Sequence, residues 1–260
     1  TYNTILQLKP DHLGSLDALA QKYEGMSRWN DLIGVLQRKA DLLGEWTKAP
    51  AGSAGATALS TLAGGVVSAR TEQARLLKRV AQLWIDKFSN HNQAVRPLED
   101  LYAIDPDDAD TVARLRDIYN KRRSWRPLLD LERRQLDVLE AHPERAASPV
   151  DFLTQRRNKL IELAKLAQER LADNLESIAI WNRLLELDEG DDASLSALSA
   201  LYEKEKRFPA LIEILSRQKT RTKDVKAQIA ILERVGAMLA EKLNAAALAV
   251  EVYREIVRLM

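Results

Sequence analysis

Few side chains in this sequence could do chemistry. Its three histidines, His12, His91 and His142, fall where turns or linkers are expected. None stands four residues from a second ligand on a helix face, the spacing that paired-histidine metal sites use. There is no cysteine, which removes disulfides and thiolate metal sites. Gly64-Gly65 lacks the neighbouring lysine and hydroxyl residue of a phosphate-cradling loop, and no Gly-x-Ser-x-Gly elbow occurs. Two acidic clusters, Asp105, Asp107, Asp108 and Asp110, then Asp188, Glu189, Asp191 and Asp192, raise the question of calcium. The spacing of an EF-hand loop and its closing glutamate are missing. Both clusters precede expected helices, where negative charge complements the helix N-terminus, so they read as caps. No catalytic residue, metal or cofactor is expected, and the chain reads as non-enzymatic.

Basic turns are the second candidate. Lys121, Arg122, Arg123 and Arg126 surround Trp125. Lys204, Lys206 and Arg207 surround Phe208 at an equivalent place, and Arg28 precedes Trp29. A basic rim with interleaved aromatics could stack on and neutralise RNA. It could also meet an acidic protein. The structural reading is that the aromatic packs between helices and the cations answer the dipole at a helix C-terminus.

The elements that carry these residues repeat. Taking Trp181 as an anchor, Leu184, Leu187, Leu198, Tyr202, Phe208, Leu211 and Arg217 match Leu101, Ile104, Leu115, Tyr119, Trp125, Leu128 and Arg134, each 83 positions earlier. Ile5, Leu8, Leu19, Tyr23, Trp29, Leu32 and Arg38 stand a further 96 positions upstream. Tyr253, Ile256 and Leu259 reproduce Trp181, Leu184 and Leu187 after 72 positions. The chain therefore reads as three supra-repeats, with anchors at Tyr2, Leu98, Trp181 and Tyr253, whose lengths differ through their linkers. Apolar residues at helical spacing line one face of each segment. A single helix pair cannot bury that face, so pairs must stack.

The spacing within the pairs resembles the tetratricopeptide repeat. Ala94, Leu98, Leu101 and Pro106 follow the second-helix pattern. Leu19, Ala20 and Tyr23, and again Leu198, Ser199 and Tyr202, follow the first-helix pattern. Departures are Leu32, Leu128 and Leu211, where a small residue is expected, and Glu189 in place of the closing proline. The resemblance implies an all-α, right-handed solenoid of stacked antiparallel helix pairs, and a first helix of each pair on the concave face. The matching groove positions are Lys78, Gln82, Asp117, Asn120, Asn158, Lys165, Gln168 and Glu203. Such mixed charge suits an extended peptide or a partner helix better than a polyanion.

Composition agrees with a helical chain. The 260 residues are 30% charged with a net charge of +1, so no global field favours nucleic acid or a membrane surface. Ten glycines and eight prolines are few for this length, and helix formers dominate. Expected helices cover residues 1–9, 13–24, 29–43, 71–88, 93–104, 109–121, 125–141, 152–171, 175–187, 193–205, 209–220, 225–243 and 245–259. Asp11 is an expected N-cap and Gly44 an expected C-cap. Pro97 is placed near the start of its helix, where a missing N–H is tolerated. Residues 45–70 carry an uncharged Gly/Ala-rich run from Ala49 to Ala69. They read as an inserted linker with a short helix over 57–62, or as a buried helix filling a gap between hairpins. The run has too few large apolar residues to be the roughly 20-residue span a bilayer requires.

No signal peptide is visible, a cytoplasmic location is favoured, and the array reads as a fragment of a longer one. The expected function is a protein-binding scaffold or adaptor. RNA binding through the basic turns and a helical regulatory domain of a larger enzyme are the alternatives. Apolar faces left at the array ends would allow end-to-end self-association.

Overall fold

The computed structural model describes residues 2–62 and 64–260. The described residues form fourteen α-helices, one 3-10 turn and no strand. They are α1 (Tyr2–Leu8), α2 (Leu13–Gly25), α3 (Trp29–Lys48), α4 (Ala54–Ser60), α5 (Gly65–Phe88), α6 (His91–Ile104), α7 (Ala109–Arg122), α8 (Trp125–Ala141), α9 (Pro149–Arg170), α10 (Asn174–Leu187), α11 (Asp192–Lys204), α12 (Phe208–Arg221), α13 (Val225–Glu241) and α14 (Ala246–Leu259). The 3-10 turn is Pro143–Arg145. The fold is all-α, of the solenoid type built from stacked antiparallel helix pairs. It divides into two compact units, Thr1–Leu131 and Glu132–Met260.

Six turns make the pairs, and each uses one residue in the left-handed region: Ser27, Ser89, Arg123, Ala172, Lys206 and Asn244. The next N–H then reaches back to a carbonyl of the first helix, satisfying an end the helix cannot satisfy itself. The reach comes in two alternating lengths. Arg28, Ser124 and Arg207 donate to the tyrosine carbonyls five residues earlier, Tyr23 (2.9 Å), Tyr119 (2.9 Å) and Tyr202 (2.8 Å). Asn90, Asp173 and Ala245 donate six residues back, to Trp84 (2.8 Å), Ala167 (2.9 Å) and Leu239 (2.7 Å). Two hairpin types therefore alternate along the chain, which is the two-pair supra-repeat in backbone geometry.

In the first unit the main core gathers Leu32, Leu36, Leu43 and Trp46 of α3, Leu76, Leu77, Val80 and Leu83 of α5, and Leu101 of α6. Lys39 of α3 is almost fully buried. Its ammonium is held by Asp17 of α2 (2.6 Å) and Glu72 of α5 (3.0 Å). Gly44 does not end α3, as its glycine suggested. The helix runs on to Lys48, and the glycine instead leaves room for α5: a Cβ at Gly44 would lie 2.5 Å from the Gln73 side-chain nitrogen. Residues 45–70 accordingly hold the last turn of α3, all of α4 and the start of α5. Leu59 of α4 and Ala69 of α5 are buried with Trp46, and Gly55 lets α4 lie against the Trp46 ring. The short helix lies at Ala54–Ser60, earlier than residues 57–62, because Ser53 caps it through a bond from the Ala56 N–H (3.2 Å).

Two other boundaries differ from expectation. His12, not Asp11, caps α2: its Nδ1 accepts from the Ser15 N–H (3.1 Å). Asn90 caps α6 by accepting from Gln93 (3.2 Å), so the helix begins at His91, inside the expected turn. Pro97 thus lies in the helix interior, where its ring forfeits one backbone bond.

In the second unit Leu160, Leu163, Ala164 and Ala167 of α9, Ile178, Trp181 and Leu184 of α10, Leu195 and Leu198 of α11 and Leu211 of α12 are buried. Ser177 Oγ donates to the Ala164 carbonyl (3.0 Å) and ties α10 to α9 inside this core. Gly236 of α13 packs on the Tyr253 ring of α14, where a Cβ would sit 2.8 Å from Cζ. No helix among the described residues is long and apolar enough to cross a membrane.

Candidate functional site

Except on α14, the pairs spend their apolar faces on their neighbours, so their binding chemistry falls to the polar faces. Among the expected groove residues, Asp117 and Asn120 of α7, Asn158 and Lys165 of α9 and Glu203 of α11 are exposed, and Lys78, Gln82 and Gln168 are half-buried. Several already have partners. Lys78 reaches the start of α7, at Asp108 (3.2 Å) and Asp110 (3.4 Å). Asp117 pairs with Lys121 (2.7 Å), and Asn120 donates to the Arg116 carbonyl (2.9 Å). Glu203 takes Arg234 of α13 (2.6 Å). Glu24 of α2, at the position matching Glu203, takes Arg79 of α5 in the same manner (2.8 Å). First helices are thus linked to each other by ion pairs in both units. In the first unit the structure brings Lys78 to α7, and in the second it brings Glu203 to α13.

The basic turns are exposed. Arg122 ends α7, Arg123 is its left-handed cap, Arg126 lies in the first turn of α8, Lys206 is a left-handed turn residue and Arg207 caps α12. The aromatics beside them are half-buried packing residues. In the first repeat Lys87 lies over the Trp29 ring at 4.7 Å and Arg28 over Tyr23 at 5.1 Å, so cations here stack on the protein's own aromatics. Arg122 and Lys121 share a cleft with Ser89, Asn90 and His91 at the neighbouring turn.

Asp108 and Asp191 of the acidic clusters stand at the N-caps of α7 and α11, and Asp191 makes the side-chain cap bond. Asp191 accepts from the Ser194 N–H (2.8 Å) and hydroxyl (2.6 Å), and Arg157 of α9 binds its other oxygen. Burial pushes its carboxyl up, but the Ser194 and Arg157 bonds outweigh that and hold it below the usual aspartate range. Asp108, the matching residue one repeat earlier, is held low first by the Thr111 hydroxyl (2.6 Å) and also by Lys78. His12 and Ser15 occupy the same two places in the first repeat (2.9 Å). Ser15, Thr111 and Ser194 are all buried. This device could have been read from the sequence: a hydroxyl residue stands three places after each cap. His142 meets Glu144 (3.1 Å). Among the described residues no group of three or more His, Asp or Glu side chains could hold a metal ion.

Two further features stand out. One, unread in the sequence, is a cleft of about 420 Å³ between α8 and α9, lined by residues that include Val138, Leu139, Arg145, Lys159 and Glu162. The other is the outer face of α14, an apolar face at an array end of the kind expected from the sequence. Val250, Tyr253 and Val257 are exposed there, although the matching Ile178, Trp181 and Leu185 are buried.

No family model matches the chain, and no curated protein matches it. Solved structures similar to it include the MamA protein, at 10% identity over 87% of this chain and 93% of that one, with a TM-score of 0.32. A putative kinesin light chain from Podosopora anserina with nearly identical TPR-like repeats is 15% identical over 83% of this chain and 99% of that one, with a TM-score of 0.33. A second crystal structure of the latter protein, carrying one substitution, is 16% identical over 90% and 98%, with a TM-score of 0.31. The assignment to stacked helical hairpins therefore rests on this chain's own turns and cores.

Proposed function

We propose that the chain is a non-catalytic scaffold or adaptor that holds a segment of another protein on the polar faces of its first helices. The observation that carries this is the division of labour within each pair: leucines bury against neighbouring helices, while Asp117, Asn120, Asn158, Lys165 and Glu203 stay exposed on α7, α9 and α11. Alternating charge on rigid helices suits a peptide or helix of complementary charge, read side chain by side chain. The arrangement asks for no cofactor.

The test is capture from native lysate by the purified chain, with and without nuclease, read by mass spectrometry. The same proteins should remain after nuclease. They should be lost when Asp117→Arg, Asn120→Arg and Lys165→Glu are combined. Arg96→Glu on α6, an exposed second-helix position, should leave them bound. Loss of all captured material on nuclease treatment would overturn the reading and move attention to Arg122 and Arg123.

A further inference from the structure

One seam between neighbouring pairs is bridged in the second unit and open in the first. In the second unit the turn joining α9 to α10 meets the end of α11. In the first the turn joining α5 to α6 meets the end of α7. The two places match residue by residue, 83 positions apart. Ala172 and Ser89 are the left-handed turn residues, Asp173 and Asn90 the caps that follow them, and Lys206 and Arg123 the left-handed residues past the second helix. Contacts between the same helices confirm the register: Tyr202 meets Asn182 of α10 (2.9 Å), and Tyr119 meets Glu99 of α6 (2.5 Å).

A carboxylate closes the seam in the second unit. Glu205, half-buried at the end of α11, accepts from the Asn174 amide (2.6 Å), and Lys204 donates to the oxygen of that amide (3.3 Å). A helix C-terminus disfavours negative charge, so the bond to Asn174 offsets the cost of placing Glu205 there. In the first unit the matching residues are His91, Lys121 and Arg122. The carboxylate is replaced by a guanidinium and the amide by an imidazole. The bridge cannot form, and a cleft of about 430 Å³ stands between the turn and the end of α7. Lys121 turns back to Asp117 on its own helix (2.7 Å). His91 and Arg122 are exposed, and neither side chain makes a hydrogen bond or ion pair among the described residues. None of the described residues that line the cleft is acidic. The group that neutralises the seam in the second unit therefore has no counterpart in the first.

We infer that the cleft beside the α5–α6 turn binds a carboxylate side chain from an acidic segment of a partner protein, which takes the place that Glu205 fills in the second unit. The inference rests on the scaffold reading and gives that scaffold a subsite for one acidic residue, one turn from Asp117 of the proposed groove. Arg122 presents a planar fork of donors that matches a carboxylate, and charge-assisted bonds of this kind are the strong ones. His91 and Asn92 offer further N–H donors from the turn. The exposed Phe88 ring gives the residue beside the carboxylate an apolar wall. RNA fits the place less well, because Trp125, the aromatic among these cations that would stack a base, is a half-buried packing residue.

The probe is the peptide Gly-Ser-Glu-Leu-Glu-Ser-Gly, blocked at both ends, added to the intact, isotope-labelled chain. Saturable amide shifts at Ser89, His91, Asn92 and Arg122 are expected. The same peptide with glutamine for both glutamates should bind at least about tenfold more weakly. Arg122→Glu should abolish the shifts. Combining His91→Asn with Arg122→Glu rebuilds the bridge of the second unit; it should abolish them too, and covers the case in which Arg122→Glu alone disturbs folding. No shift at millimolar peptide, equal binding of the glutamine peptide, or unchanged binding by both variants would overturn the inference. Tighter binding of a short uridine oligonucleotide than of the peptide, lost in Arg122→Glu, would make the ligand RNA and overturn it equally. So would concentration-dependent self-association that Arg122→Glu removes, which would replace the partner by a second copy. Lysate capture separates the two readings: nuclease-resistant partners with no peptide binding leave the scaffold standing and remove the cleft. Peptide binding with no nuclease-resistant capture does the reverse.

Discussion

Gly44 and Gly236 both stand in helix interiors where another helix comes close, yet replacing them should have opposite effects. Alanine in place of glycine gains about 1 kcal/mol of helix propensity. At Gly44 the new methyl meets only the end of the Gln73 side chain, which can swing aside. At Gly236 it meets the Tyr253 ring at 2.8 Å, and that rigid ring, exposed on its outer side, must turn away and give up its packing on α13. Overpacking of that kind costs about 1–3 kcal/mol. Gly44→Ala should therefore be neutral or slightly stabilising in urea denaturation, and Gly236→Ala destabilising by about 1 kcal/mol once the propensity gain is subtracted. Equal shifts of the midpoint for the two variants would contradict the packing account.

The contact of α2, α3 and α5 turns on one buried lysine. Asp17 and Glu72 both reach the ammonium of Lys39. The Glu72 carboxyl is lowered to about 2, first by the Arg75 hydrogen bond, against the opposing effect of burial, and then by Lys39. A carboxylate whose folded value lies below its ordinary value of 4.5 stabilises the fold fully above that pH and loses its contribution as the pH falls toward about 2. Chemical denaturation across this window should show stability declining with acid, and Glu72→Gln should flatten the decline. A variant with an unchanged acid profile would show that the pair contributes nothing to stability. The lock was hidden from sequence reasoning because Lys39 lies on a helix whose other buried residues are apolar, and its two partners stand 22 and 33 positions away.

Whole-molecule behaviour should follow from stacking. A helix that touches only its neighbours passes a disturbance only to them. Leu198 of α11 is fully buried. Leu198→Ala should cost about 3 kcal/mol and raise amide exchange in α10, α11 and α12, while α3 and α5 keep their protection. Uniform loss of protection along the chain would mean that the units unfold as one. The helical pairs, their turns and the anchors were legible because each depends on residues three to eleven apart: leucines at helical spacing, tyrosines one turn before a break, acids before helix starts. The capping of α7 and α11 by Asp108 and Asp191 falls in the same class.

Local order along the chain thus settled which segments are helical and where the pairs bend, since backbone hydrogen bonds and apolar periodicity are properties of neighbouring residues. The tertiary structure alone decided which side chains meet where one helix pair packs on the next, because those residues stand far apart in the chain. They are glycine and glutamine between α3 and α5, and glutamate and arginine between α8 and α9. The tertiary structure likewise decided that Lys78 and Glu203 are engaged in ion pairs with other helices, 30 and 31 positions away, that no linear spacing displayed.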